Sequence, residues 1–161
     1  MARAPEIYID LETDPNSPRS RIAIFGMYSR ETQYVQLLES EITPYRIRKL
    51  LPRGGHLFTF NGEAFDLPII ETLLGIDLRR RYVSRDLRQL CCARGLVGGQ
   101  KRIEQVVGWK RPVPPLGFFE QRALWQRVNR WKDSHALDRL LCYNRHDLDG
   151  MRWIRRKLSS L

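Results

Sequence analysis

No run of about eighteen apolar residues occurs anywhere in the 161 residues, so no segment reads as a membrane span. The opening stretch MARAPEI has no apolar core of the kind a signal peptide needs, and a soluble, cytoplasmic protein is expected. Cysteine is scarce as well. Cys91, Cys92 and Cys142 make an odd count, the adjacent pair cannot easily close on itself, and the spacing matches no zinc site, so reduced packing residues are expected. Acidic residues are outnumbered 18 to 28 by lysine and arginine, a formal net charge of +10 carried mostly by arginine. Such a field favours a polyanion, because neutralised phosphates release condensed counterions. Nucleic acid is the first candidate partner; an arginine-rich surface that merely solubilises the chain is the alternative. No repeat, low-complexity tract or composition shift divides the sequence. At 42% hydrophobic it has enough to bury a core, and residues 1–161 are expected to form one domain.

The apolar pattern predicts strands at PEIYIDL (Pro5 to Leu11), RIAIFGMYS (Arg21 to Ser29) and TQYVQLL (Thr32 to Leu38), an antiparallel meander whose first link is the turn-rich DPNSPRS. A helix follows, with Thr43 as its cap, Pro44 at the first position and RGG as its stop. HLFTF (His56 to Phe60) reads as a fourth strand, NGEAFDLPIIETLLG as a turn and helix ending at Gly75, and YVSRDL (Tyr82 to Leu87) as a fifth strand. Strand, helix, strand, helix, strand implies parallel pairing beside the meander. The expected fold is therefore α/β, a mixed sheet of about five strands flanked by helices. Beyond Asp86, an N-cap for LRQLCCA, the chain reads as helical, with helices over Phe118–Trp131 and Ser134–Leu158 after a proline-rich break.

Three places carry unexpected carboxylates. In YIDLETD, Asp10 and Glu12 are two apart on a strand and so share a face, with Ile9 and Leu11 on the other. Two adjacent anions repel unless a cation lies between them, and a hard divalent ion with oxygen ligands fits; a solvent-facing strand edge would also explain the pair. In FNGEAFDLPII, Asp66 occupies the first turn of an apolar helix, where it either serves a site or complements the helix N-terminus with Asn61 as the cap. In YNRHDLDGM, Tyr143 and Asp147 are one helical turn apart and bracketed by the core positions Leu140 and Met151, so Asp147 should face inward and need a partner.

These motifs, in this order, resemble the DEDD superfamily of 3′-5′ exonucleases with the ribonuclease H-like fold. The tyrosine is similar to that of the DEDDy branch, and IDLETD, FNGEAFDLPII and YNRHDLDGM resemble most the small predicted exonucleases of the YprB-like group. The resemblance implies that Asp10, Glu12, Asp66 and Asp147 are metal ligands for two Mg²⁺ or Mn²⁺ ions. It implies that Tyr143 orients or helps deprotonate the attacking water. The other branch carries histidine five positions before the last aspartate, where this chain has Cys142, so His146 is not expected to be the base. By the same resemblance Thr13 lies near the 3′-terminal nucleotide, and Asn61 and Phe65 touch substrate, a helix cap and a core aromatic being their structural alternatives. Asp14, Glu63, Asp86 and Asp149 are read as non-catalytic.

The expected activity is thus metal-dependent 3′-5′ exonucleolytic cleavage of nucleic acid, with single-stranded DNA favoured over RNA. A non-catalytic nucleic-acid-binding module and an endonuclease on the same scaffold are the alternatives. Arginines at 79–81, Arg139, Arg145 and the 152–157 stretch could guide a phosphate backbone, with Arg145 flanking the site. Trp125, Trp131 and Trp153 could stack bases.

Overall fold

The computed structural model describes residues 4–17 and 21–160. Three strands form the meander: β1 (Glu6–Thr13), β2 (Ile22–Ser29) and β3 (Gln33–Leu38). Residues 1–3 of the opening stretch and 18–20 of the first loop lie outside the described residues. Helix α1 (Pro44–Leu50) leads to β4 (His56–Thr59), α2 (Asp66–Leu74) leads to β5 (Val83–Asp86), and α3 (Leu87–Cys92) follows at once. The remainder is helical: α4 (Gln100–Val106), α5 (Phe118–Trp131) and α6 (Ser134–Leu158).

The five strands lie in the order β3-β2-β1-β4-β5, with β1–β2 and β2–β3 antiparallel and β1–β4 and β4–β5 parallel. This is the expected mixed sheet. Its two faces are covered by different helices, which explains why β2 is buried at nearly every position. On one face Ile7, Ile9 and Phe25 or Met27 pack with Ile47 of α1 and Leu67 and Ile70 of α2. On the other, Tyr8 and Phe58 meet Leu148, Met151 and Ile154 of α6 and Ile103 of α4, while Ile24 meets Trp125 of α5 and Leu140 of α6. Strand alternation therefore sends Tyr8, Asp10 and Glu12 toward α6 and the intervening isoleucines toward α2.

Local chemistry sets the ends of the elements. The Thr43 hydroxyl accepts from Arg46 N at 3.2 Å to cap α1, which stops at Leu50, ahead of Pro52 and of the predicted RGG. Asp133 caps α6 through Ala136 N at 3.0 Å, and Arg155, Arg156 and Lys157 occupy its last turn, where the helix dipole favours cations. Asp86 caps α3 as expected and also accepts from Asn61 N at 2.8 Å, tying the turn after β4 to the end of β5. Asn61 itself does not cap α2. It sits at φ 62°, and its side-chain oxygen accepts from Arg88 at 2.9 Å. The cysteines are all free, but only Cys91 is buried; Cys92 and Cys142 are exposed and are not packing residues.

Candidate active site

Among the described residues, carboxylate oxygens of Asp10, Glu12 and Asp147 lie within 4.8 Å of one another. β1 presents the first two from one face of the sheet, and α6, lying across that face, presents the third. The strand register shifts between Glu12 and Thr13, so Glu12 is the last regularly paired residue before the chain turns away. Asp66 stands beside this trio and is not part of it. β4 ends at Thr59 and its last pair with β1 is Phe58 with Tyr8, leaving Leu11 N without a strand partner; Asp66 Oδ1, at the start of α2, accepts from it at 3.0 Å.

Burial, followed by the charge of Asp147, pushes Asp10 well above the usual carboxylate range, with Glu12 and Asp66 adding to the effect. Glu12 rises to about 8 through burial and Asp147. Asp66 rises to about 6 through burial, against the lowering effect of the Leu11 hydrogen bond. Anions crowded in this way call for a cation.

Protein cations meet part of that demand, and they come from a segment whose role the sequence left open. Lys101 of α4 donates to Asp147 Oδ1, and so does Arg111 in the loop beyond α4. Arg111 is held from behind by Glu104, Nε to Oε2 at 2.7 Å and Nη2 to Oε1 at 2.9 Å. Burial works against the guanidinium charge, yet the Glu104 hydrogen bonds and Asp147 raise its pKa further. Gln100 completes the support, donating to Glu104 Oε1 and to the Asp147 carbonyl, both at 2.8 Å. Gly150 makes room: a Cβ there would stand 2.7 Å from Glu104 Cδ.

A second support lies under Asp10. Asn144, fully buried, donates from Nδ2 to Asp10 Oδ2 at 2.8 Å and to the Asp10 carbonyl at 3.1 Å. Its Oδ1 accepts from Gln36 of β3 at 2.9 Å. The amide fits because residue 26 of β2 is glycine; a Cβ there would fall on it, 2.8 Å from Asn144 Cγ. Neither Asn144 nor the α4 network was identified from sequence. The one available signal was that Asn144 adjoins Tyr143 within the motif.

Tyr143 is half-buried against the same group, with Lys101 4.7 Å and Arg111 5.7 Å from its ring centre. Burial, then Asp147, Glu12 and Asp10, raises its pKa, so the phenol holds its proton at neutral pH. His146 is shifted the other way, lowered by burial and by Arg111, with Cys142 Sγ 3.8 Å from Nδ1.

The predicted substrate contacts fare differently. Thr13 is exposed at the end of β1, next to Glu12. Phe65 is 62% exposed, which removes its reading as a core aromatic. Arg145 lies over the Tyr34 ring at 4.4 Å, stacked on β3. Trp125 is 1% exposed inside the α5 core and cannot stack a base; Trp131 is open, and Trp153 is half-buried. Arg79 is occupied by Asp77 and Glu71, and Arg139 by Glu120. Of the carboxylates read as non-catalytic, Asp14 accepts from Asn129 of α5 at 2.6 Å, Glu63 from Ser84, and Asp149 from Tyr34.

A mixed five-stranded sheet with an acidic trio bridging its first strand and last helix defines a ribonuclease H-like protein. The chain belongs to the RNase_H superfamily, whose family model matches residues 7–159. A solved structure, the family B DNA polymerase from the hyperthermophilic archaeon Pyrobaculum calidifontis, is similar at a TM-score of 0.73 and 15% identity. The likeness covers 98% of this chain and 25% of that one, so this chain spans about a quarter of its length. No curated protein matches the sequence. Family and fold agree, and the acidic trio is a group that could hold a metal ion. No helix among the described residues is long and apolar enough to cross a membrane.

Proposed function

We propose that the chain is a 3′-5′ exonuclease of the DEDDy branch, akin to the YprB-like group, that removes nucleotides from the end of single-stranded nucleic acid, DNA in preference to RNA. The observation that carries this reading is the meeting of Asp10, Glu12 and Asp147 within 4.8 Å, with Tyr143 against them and Asp66 beside them.

The donor set fits a hard divalent cation. It consists of carboxylate oxygens, and in Asp10 and Glu12 burial and then the neighbouring acids raise the pKa, which a bound cation would lower again. Asp10, Glu12 and Asp147 would hold a pair of Mg²⁺ or Mn²⁺ ions, with Asp66 reaching them directly or through water. Bound there, the ions would supply Lewis acidity and charge neutralisation for an in-line displacement at phosphorus.

The remaining work falls to the chain itself. Asn144 fixes the rotamer of Asp10, and Arg111 fixes that of Asp147, so two ligands are oriented before any cation arrives. Tyr143, half-buried against the acids, orients the attacking water or helps deprotonate it. Lys101 has a flexible stem and a partly exposed side chain, and on leaving Asp147 it can pair with the phosphate being cleaved. Thr13, next to Glu12, and the exposed Phe65, next to Asp66, would meet the terminal nucleotide together with Asn61.

The test is cleavage of 5′-labelled single-stranded DNA and RNA with Mg²⁺, Mn²⁺ or a chelator, beside Asp10→Ala. A ladder shortening one nucleotide at a time from the 3′ end, lost in the chelator and in the variant, supports the reading. Internal cuts would assign an endonuclease, and binding with no cleavage under any metal would assign a non-catalytic module.

A further inference from the structure

A cavity of about 590 Å³ opens on the α6 face of the sheet, next to the carboxylates but not lined by them. Its walls include Tyr8, Tyr28, Trp109 and Trp153, with Arg152 and Arg156 among them. Three segments pass from the acidic site into this cavity within two residues each: Asp10 to Tyr8 on β1, Asp147 to Asp149 on α6, and Arg111 to Trp109 in the loop between α4 and α5. Tyr8 and Asp10 lie on the same strand face, roughly 7 Å apart at the usual strand rise.

The walls are held in place before any ligand arrives. Trp153 Nε1 donates to the Val107 carbonyl at 3.0 Å, which fixes the plane of the indole. The Arg152 guanidinium lies 3.6 Å from the Tyr28 ring centre and donates to the Tyr34 hydroxyl. Most of the acidic lining is already spent: Glu6 accepts from Tyr8 at 2.9 Å and from Arg155 at 3.1 Å, and Asp149 from Tyr34 and Arg152. Glu31 is exposed. Arg30 and Arg156, both exposed and both lining the cavity, make no ion pair among the described residues. Arg156 instead covers the Trp153 ring at 4.7 Å.

Arg111 lies 5.2 Å from the Trp109 ring centre and Lys157 5.2 Å from that of Trp153, and aromatic rings beside guanidinium groups that carry no carboxylate partner select a ligand with a flat ring and an anion on one frame. An apolar ligand would leave the arginines unused, and a bare phosphate would leave the indoles unused. We infer that this cavity is a nucleotide-binding pocket, in which a base stacks on Trp109 or Trp153 and its phosphate pairs with Arg156 and Arg30. The pocket needs no metal and no turnover, so it stands or falls separately from the exonuclease reading. The same chemistry has two sources: a nucleotide unit of a strand engaged at the carboxylates, or a free mononucleotide.

The experiment measures binding of AMP and of a short oligodeoxyadenylate to the full chain in chelator, by intrinsic tryptophan fluorescence and by calorimetry, with Trp109→Ala and Arg156→Ala compared with wild type. Circular dichroism confirms that both variants keep the fold. The expected result is saturable binding that each substitution weakens at least tenfold. If AMP displaces the oligonucleotide, the pocket serves the strand; if both bind together, it serves a free nucleotide. Absence of AMP binding at millimolar concentration, or wild-type affinity in both variants, overturns the inference.

Discussion

Replacing Arg111 with leucine tests whether the buried network organises the site. Arg111 and Glu104 have side chains only 8% and 2% exposed, and their paired hydrogen bonds at 2.7 and 2.9 Å leave the carboxylate almost no access to water. Removing one partner of a buried ion pair costs about 3–5 kcal/mol, because the other charge is left uncompensated. Here Gln100 still donates to Glu104 and Lys101 still reaches Asp147, so the lower end applies, about 3 kcal/mol. For a chain of this size that is a fall of roughly 6–12 °C in melting temperature. Arg111→Leu combined with Glu104→Leu should recover much of the loss, since apolar groups of similar volume replace a buried pair at little cost. Thermal denaturation followed by circular dichroism, in chelator at pH 7, on the wild type, both single variants and the double variant gives these numbers as a double-mutant cycle. A single-variant shift under about 2 °C, or a double variant no better than the single, would refute the reasoning.

Without divalent metal, stability should fall as pH rises from 6.5 to about 8, because the folded state keeps on Glu12 a proton that the unfolded chain, titrating near 4.5, has already released. His146, lowered by burial, acts in the opposite sense only below its ordinary 6.5, which leaves this window clean. Denaturant melts in chelator that rise in stability across it would contradict the coupling, and Mg²⁺ should flatten the slope. Gly26→Ala should lose about 1–3 kcal/mol by overpacking Asn144. It should also slow cleavage roughly 10- to 100-fold by releasing Asp10, although every carboxylate remains; an unchanged cleavage rate would count against positioning. Tyr143→Phe should slow cleavage while leaving metal-dependent stabilisation as in wild type, and loss of that stabilisation would instead make the hydroxyl part of the cation site.

The strands and terminal helices were legible because their signals are local. Alternation in YIDLETD placed Asp10 and Glu12 on one face, and helical spacing through Leu140, Leu148 and Met151 turned Asp147 toward them. The cap at Asp86 was legible for the same reason. What could not be read depends on how α4 docks against α6. Gln100, Lys101, Glu104 and Arg111 are residue types that mostly face water, and nothing in their own neighbourhood tells that three of them reach Asp147 while Glu104 holds Gln100 and Arg111 in place. Asn144 is similar, since its role requires a glycine on β2 and a glutamine on β3 brought beneath it by the sheet. Asp66 shows the limit of a motif: its place at the head of α2 was expected, while its use of the Leu11 N–H follows from β4 ending early. Phe65 precedes the helix, outside the buried stripe of Leu67 and Ile70, which sets aside its core-aromatic alternative and leaves the substrate contact as a proposal.

The central claim is that these acids gather to hold divalent cations at a cleavage site. A crystal grown with Mn²⁺ and a short single strand, with the metal located by its anomalous scattering, examines it most directly. The expected result is Mn²⁺ about 2.1 Å from oxygens of Asp10, Glu12 and Asp147, with Lys101 withdrawn toward the phosphate. Manganese bound elsewhere, or Asp147 still paired with Lys101 and Arg111 and no metal on the three carboxylates at saturating concentration, would contradict it.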